Sequence, residues 1–183
     1  MNELDFIFGC KENDPKSQRL LFEKYAPRML SICRRYVTDF EIAQDLLQEG
    51  FIKVFTKIET YSGEGSFAGW MQRIFVTTSL EYLRRNNMMK DRISIDECEK
   101  IEDEIHPSVL SKLTTDDLLE CIRQLPSGYR TVFNLYAIEG YSHSEIAKML
   151  SISESSSQSQ LVRARKILQR NVQCVIEKNK NNA

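Results

Sequence analysis

The chain has 183 residues, 42% of them hydrophobic and 28% charged, with a formal net charge of -1, a composition that suits a globular protein of one ordinary domain or two small ones. No apolar run approaches the roughly 18–20 residues that span a bilayer, and the start MNELDFIFGCKENDPKSQ lacks the basic-then-apolar layout of a secretion signal, so the expected compartment is cytoplasmic. The five cysteines are scattered without a Cys-x-x-Cys pair, His106 and His143 stand alone, and no phosphate loop or nucleophile elbow occurs; no metal, cofactor, small-molecule substrate or catalytic residue is expected.

Hydrophobic spacing predicts an all-α chain, with four helices up to about Asn87. The first starts near Leu4 and ends by Asp14-Pro15; the second runs from about Lys16 to Val37. Leu20, Leu21, Phe22, Tyr25, Leu30, Ile32 and Cys33 are its apolar candidates, and Pro27, lacking a backbone donor, predicts a kink or irregular turn. The third, about Phe40 to Ile58, sets Ile42, Leu46, Leu47, Phe51, Val54 and Phe55 on one side. Glu41, Gln44, Asp45, Gln48, Glu49 and Lys53 occupy the other, a face that reads from the residues as solvated. Thr60-Tyr61-Ser62-Gly63-Glu64-Gly65 is a turn cluster. Ser66 then caps a fourth helix in which Phe67, Trp70, Met71, Ile74 and Leu83 face inward, while Arg73, Arg84, Arg85, Lys90 and Arg92 supply basic charge. An aromatic-bearing loop ahead of a basic helix suits single-stranded DNA, whose bases stack and whose phosphates draw cations. The plainer alternative is an amphipathic helix with arginines in water and Trp70 in the core.

From Met88 to Thr115 no period is sustained, and Asp96, Glu97, Glu99, Glu102, Asp103 and Glu104 are offset only by Lys100. That is a linker composition, too long for a loop inside a compact domain. The expected layout is two small helical domains, 1–90 and 116–176, joined by an acidic flexible linker at 91–115 and followed by a frayed tail at 177–183. In DDLLECIRQL, Leu118, Leu119, Ile122 and Leu125 form a stripe, Asp116 and Asp117 sit at the positive helix N-terminus, and Pro126 ends the helix. Val132, Leu135 and Tyr136 share the next face, with Ile138 one turn on, before Glu139-Gly140. Ser142-His143-Ser144-Glu145 is a capping box, and Ile146, Ala147 and Leu150 give a short helix its apolar side. Ser151-Ile152-Ser153 is a turn, and Ser153 caps a helix from Glu154. The front of that helix is small and polar (Ser155, Ser156, Ser157, Gln158, Ser159, Gln160), and Arg163, Arg165, Lys166 and Arg170 follow. This is a helix-turn-helix pattern, whose second helix enters the major groove, where Gln reads adenine and basic side chains hold phosphates. A helical hairpin with a charged last helix is the alternative, but a Ser-rich helix front is a poor choice for stability alone.

LPSGYRTVFNLYAIEGYSHSEIAKMLSISESSSQSQLVRARKIL resembles region 4 of the extracytoplasmic-function (ECF) sigma factors of bacterial RNA polymerase. The shared features are Leu-Pro, an Arg before an apolar run, Glu-Gly-Tyr-Ser, Glu-Ile-Ala, Leu-x-Ile-Ser and Arg-Ala-Arg-x-x-Leu. The chain departs from Ser155 to Gln160, where relatives often carry Gly-Thr-Val-Lys-Ser-Arg. AQDLLQEGFIKVF is similar to the Asp-Leu-x-Gln-Glu-x-Phe signature of sigma region 2, and GSFAGWMQRIF with LEYLRRNN resembles the segment that melts and reads the promoter's -10 element. The resemblance implies an alternative sigma factor, not an enzyme, which binds core RNA polymerase and promoter DNA. On it, Asp45, Gln48 and Glu49 dock on the clamp coiled coil of the largest subunit, and the flap region is a further contact. The loop of Tyr61, Ser62, Gly63, Glu64 and Ser66 captures a base flipped from the non-template strand, and Arg73, Arg84 and Arg85 hold the backbone. Ser155, Ser156, Ser157, Gln158, Gln160, Arg163 and Arg165 address the -35 element. It also implies a linker threaded through polymerase channels and an anti-sigma factor that covers both functional surfaces. On the residues alone, a conventional helix-turn-helix regulator binding DNA as a dimer and a helical protein-interaction module remain open.

Overall fold

The computed structural model describes residues 3–86 and 114–181, in two compact units divided after Asn86. All the described secondary structure is helical. The acidic linker expected over 91–115 lies, up to residue 113, outside the described residues, as do Lys90 and Arg92.

In the first unit, α1 (Glu3–Lys11) packs on α2 (Pro15–Tyr36), and α2, α3 (Phe40–Lys57) and α4 (Phe67–Arg85) pack on one another. Each boundary is written as a cap. The Asp14 carboxylate accepts from the backbone N–H groups of Lys16 and Ser17, and Asp39 serves Glu41 and Ile42 in the same way. Ser66 accepts from Gly69 N–H at 3.0 Å. Each supplies acceptors for orphan donors of a first turn. Pro27 does not interrupt α2 as expected; the helix runs through it. An interior proline costs about 3 kcal/mol, whereas burial of one large apolar side chain contributes about 1.5–3 kcal/mol. Leu21, Tyr25, Met29, Ile32 and Tyr36 are all buried along this one helix, so packing wins. Phe22, placed inward by sequence, is instead 37% exposed, with its ring 4.6 Å from that of Phe51. Gly50 of α3 lets the Phe75 ring of α4 pack against its backbone, where an added Cβ would overlap that ring.

In the second unit α8 (Glu154–Asn181) is the spine, and α5 (Thr115–Arg123), α6 (Ser127–Phe133) and α7 (His143–Leu150) all pack on it. Thr114 and Asp117 form a reciprocal capping box that starts α5. Cys121 is its most buried contact, against Val172 and Ile176, with Leu118, Leu168 and Val175 around them. That apolar stripe ends at Ile176, while the helix itself continues to Asn181, into the tail expected to fray. A second cluster joins Leu125, Tyr129 and Ala164. Between them the buried Arg130 guanidinium donates to the carbonyls of Arg123 (2.8 Å) and Leu125 (3.2 Å). Burial lowers its pKa, yet an arginine stays charged; it clamps the end of α5. The expected inward face of Val132, Leu135, Tyr136 and Ile138 is only half correct. The first two are fully buried, but residues Asn134–Ile138 wind as a wider π-turn. Glu139 N–H bonds back to Asn134 O at 2.9 Å, which rotates Tyr136 and Ile138 outward to 37% and 38% exposure. No helix among the described residues is long and apolar enough to cross a membrane.

Candidate nucleic-acid interface

On α3, helical spacing brings Glu41, Gln44, Asp45 and Gln48 to one exposed strip, which the 66% exposed Ile52 extends. Glu49 leans away from it. Its carboxylate holds Lys53 Nζ at 2.9 Å and Arg85 Nη2 at 3.3 Å, and Lys53 continues to Glu81 at 2.7 Å and to the Thr78 hydroxyl at 3.2 Å. The Lys53 hydrogen bond, helped by both cations, lowers the Glu49 pKa. Burial works against the charge on Lys53, but its bonds to Glu81 and Glu49 outweigh that and raise its pKa. Two residues assigned by sequence to different surfaces, Glu49 and Arg85, therefore touch.

A 3-10 turn (Ile58–Thr60) leads into the loop at 61–66. Gly63 and Gly65 have φ of +85° and +74°, and a Cβ on either would meet nothing within 4 Å. These glycines serve the backbone angle and not close packing. Ser62, Gly63, Glu64 and Ser66 are exposed. Tyr61 is not: it is 8% exposed, its ring packs 5.1 Å from Phe67 and 5.6 Å from Trp70, and its hydroxyl donates to Gly65 O at 2.9 Å. It shapes the loop from within, because the rings of Phe67 and Trp70 supply an apolar seat that solvent does not.

Trp70, in turn, is less buried than helical spacing alone suggests. It stacks on Phe67 at 5.4 Å and 24°, is half-buried, and lines a cleft of about 250 Å³ with Lys53, Lys57, Arg73, Ile74, Thr77, Thr78 and Glu81. A second hollow lies among Glu81, Arg84 and Arg85. Arg73, Arg84 and Arg85 are all exposed. The cleft thus has an aromatic wall and three cations, a combination suited to unstacked bases and their phosphates. Lys53 and Lys57 were missed as part of it by sequence reasoning. Their i, i+4 spacing on the helix preceding the loop was the available signal, but only the packing of α3 on α4 brings them to Arg73.

In the second unit Ser142 and Glu145 cap α7 reciprocally, Ser151 makes the turn in a left-handed conformation (φ +54°), and Ser153 accepts from Ser156 N–H at 3.1 Å to start α8. Ser155, Gln158, Ser159, Arg163 and Arg165 are exposed, and Ser156 and Gln160 are half-buried. Ser157 points inward and has no exposed surface. Its hydroxyl shares a 2.9 Å hydrogen bond with His143 Nδ1; the His143 ring stacks on Tyr136 at 4.5 Å, and Arg165 lies 5.9 Å from the Tyr136 ring. Position 157 falls on the same stripe as the buried Leu161 and Ala164, so it fastens the helix instead of facing a groove. Among the described residues, no group of three or more His, Cys, Asp or Glu side chains is placed to hold a metal ion.

Two family models match this chain: sigma-70 region 2 over residues 21–88 and sigma-70 region 4 over residues 115–168. The chain belongs to the ECF sigma factors. The ECF RNA polymerase sigma-E factor of Haemophilus influenzae is 28% identical over 173 residues, 89% of this chain and 91% of that protein. That of Escherichia coli K12 is 28% identical over 178 residues, 92% and 93% of the two chains. In fold, the chain is similar to a sigma factor, RpoE, solved with the anti-sigma factor NepR from Bartonella quintana (TM-score 0.52, 20% identity, 85% of this chain and 96% of that one). The ECF factor described here is accordingly an alternative sigma factor that directs transcription initiation. Its N-terminal unit matches sigma region 2 and not a sensor domain, which disfavours the dimeric regulator.

Proposed function

We propose that this sigma factor docks on the clamp coiled coil of core RNA polymerase through Asp45 and Gln48 on α3, with Glu49 beside them, and reaches the flap region through its second unit. Ser62, Gly63, Glu64 and Ser66 form the pocket for a flipped base of the -10 element. The displaced strand then follows the cleft of Trp70, Arg73, Lys53 and Lys57 towards Arg84 and Arg85. Ser155, Ser156, Gln158, Gln160, Arg163 and Arg165 address the -35 element, with Ser157 setting their frame. The observation that carries this reading is the cleft itself: an aromatic wall and three cations directly beside a loop that displays its backbone. RNA synthesis belongs to the polymerase, so the protein contributes specificity and no catalytic group of its own. Joining two modest DNA contacts in one chain makes the second binding event intramolecular, which accommodates a net charge of only -1. We place the protein in the cytoplasm with its polymerase, held in reserve by an anti-sigma factor, as the RpoE–NepR complex illustrates for a protein of similar fold.

The test is transcription by purified core polymerase, with and without the protein, on a pooled library of upstream DNA. Start sites that require the protein, sharing two upstream motifs, are expected. Asp45→Lys should abolish them and weaken polymerase binding together; it is a cleaner probe than a change at Glu49, which would also release Lys53 and Arg85. Absence of new starts, alongside tight palindrome binding by the protein alone, would refute the assignment. Recovery of polymerase but no inhibitory partner from cells under every growth condition would remove the anti-sigma component.

A further inference from the structure

We infer that α1, which precedes the residues matched to sigma region 2, sets the selectivity of the -10 loop by bracing it through Lys11. The inference rests on reading that loop as the base-capturing element. Lys11, the last residue of α1, donates from Nζ to the backbone carbonyl of Tyr61 at 3.3 Å, across 50 residues of sequence. Tyr61 in turn ties the far end of the loop by donating its hydroxyl to Gly65 O at 2.9 Å. Ser62, Gly63 and Glu64 are left as an arch between two anchored points. Glycines at two of the loop's positions would otherwise leave it free to sample many shapes, and a pocket that discriminates bases needs one shape held in advance.

The brace has a firm footing. Ile7 and Cys10 of α1 are buried, and Gly9 lies so close to Ser17 on α2 that a Cβ would overlap its side chain. Ser17 also donates its hydroxyl to Asp14 at 2.6 Å, which fixes the corner between the two helices. At the other end, the Tyr61 ring is sealed against Phe67 and Trp70. An ammonium on a carbonyl is a charge-assisted hydrogen bond, here spanning 3.3 Å. Lys11 and Tyr61 are thus positioning residues: each acts on the loop backbone, and the exposed residues of the arch meet the base.

The experiment uses the full chain with purified core polymerase on DNA randomised across the upstream region, sequencing the templates that give starts. Polymerase affinity and thermal unfolding are measured in parallel. Lys11→Met and Tyr61→Phe are each expected to flatten the base preference at the captured -10 position about fivefold, the effect of one hydrogen bond. The -35 preference and polymerase affinity should stay unchanged, and Lys11→Arg, which keeps a donor, should restore selectivity. Ser62→Ala and Glu64→Ala report on the loop itself. If they shift the -10 preference while Lys11→Met and Tyr61→Phe leave it as in the parent, the brace is refuted and the loop reading stands. If none of the four shifts it, the loop reading fails and the brace falls with it. Should Tyr61→Phe prove unstable, Lys11→Met and Lys11→Arg decide the matter alone.

Discussion

The two parts of this sigma factor proposed to face DNA are made stiff in opposite ways. The loop at 61–66 has no helical backbone hydrogen bonds and draws its rigidity from the Tyr61–Gly65 tie and from residues outside it: Lys11 on α1, and Phe67 and Trp70 on α4. The front of α8 carries its own backbone hydrogen bonds and needs only a local fastening, the His143–Ser157 pair and the Ser153 cap. A loop can follow the outline of a single base at close range, whereas a helix presents side chains at fixed spacing to a groove. Each arrangement matches the form of DNA assigned to it.

The sharpest way to break this contrast is Phe67→Ala. Removing a fully buried aromatic ring costs about 3–5 kcal/mol, and here it also takes away the seat of Tyr61. We expect a large fall in the unfolding temperature, with -10 selectivity lost in whatever protein remains folded and -35 preference retained. If -10 selectivity survived, the aromatic seat would not be what holds the loop. Ser157→Ala should be milder, about 1 kcal/mol for one hydrogen bond, and should fall on -35 use alone. Ser157→Val combined with His143→Phe should recover stability in urea unfolding by exchanging a polar fastening for an apolar one. Failure of that pair to recover would show that the hydrogen bond sets a geometry that packing does not reproduce.

The smallest effect concerns Glu49. Its folded pKa is depressed by Lys53 and Arg85, so its contribution is complete above the ordinary carboxyl value of 4.5 and disappears as the pH falls through the lower folded value. The pairs are only partly buried and remain open to solvent screening, which limits the gain to about a few tenths of a kcal/mol. Unfolding measured from neutral to acid pH should show Glu49→Gln losing less stability than the parent by about that amount. An identical acid profile would mean that the network contributes nothing measurable.

Much of this was legible in the chain because its signals are local. Ser66, Ser142 and Ser153 each announce a helix start within four residues, and helical periodicity alone places Leu46, Met71 and Ile146 in their cores. What escaped depends on residues far apart. Nothing in the turn cluster itself says that the Tyr61 ring turns inward; that follows from its packing on Phe67 and Trp70, while Lys11, 50 residues earlier, holds its backbone carbonyl. The Glu49–Arg85 pair spans 36 residues. Ser157 belonged to a polar run, and its burial follows from the stripe of Leu161 and Ala164 on the spine. The π-turn at Asn134–Ile138 leaves no signal in hydrophobic spacing, so Tyr136, expected to share a face with Val132 and Leu135, is instead carried to the surface by the wider winding.

The chain of contacts from Glu49 through Lys53 to Glu81, with Arg85 closing on Glu49, has a consequence for anyone recombining these proteins. A chimera that imports an α3 without Glu49 and Lys53, while keeping the native α4, would take from Glu81 and Arg85 their ion-pair partners at the base of the Trp70 cleft. The unit of exchange is therefore the helix pair with its intervening loop, residues 40–85, moved as one cassette.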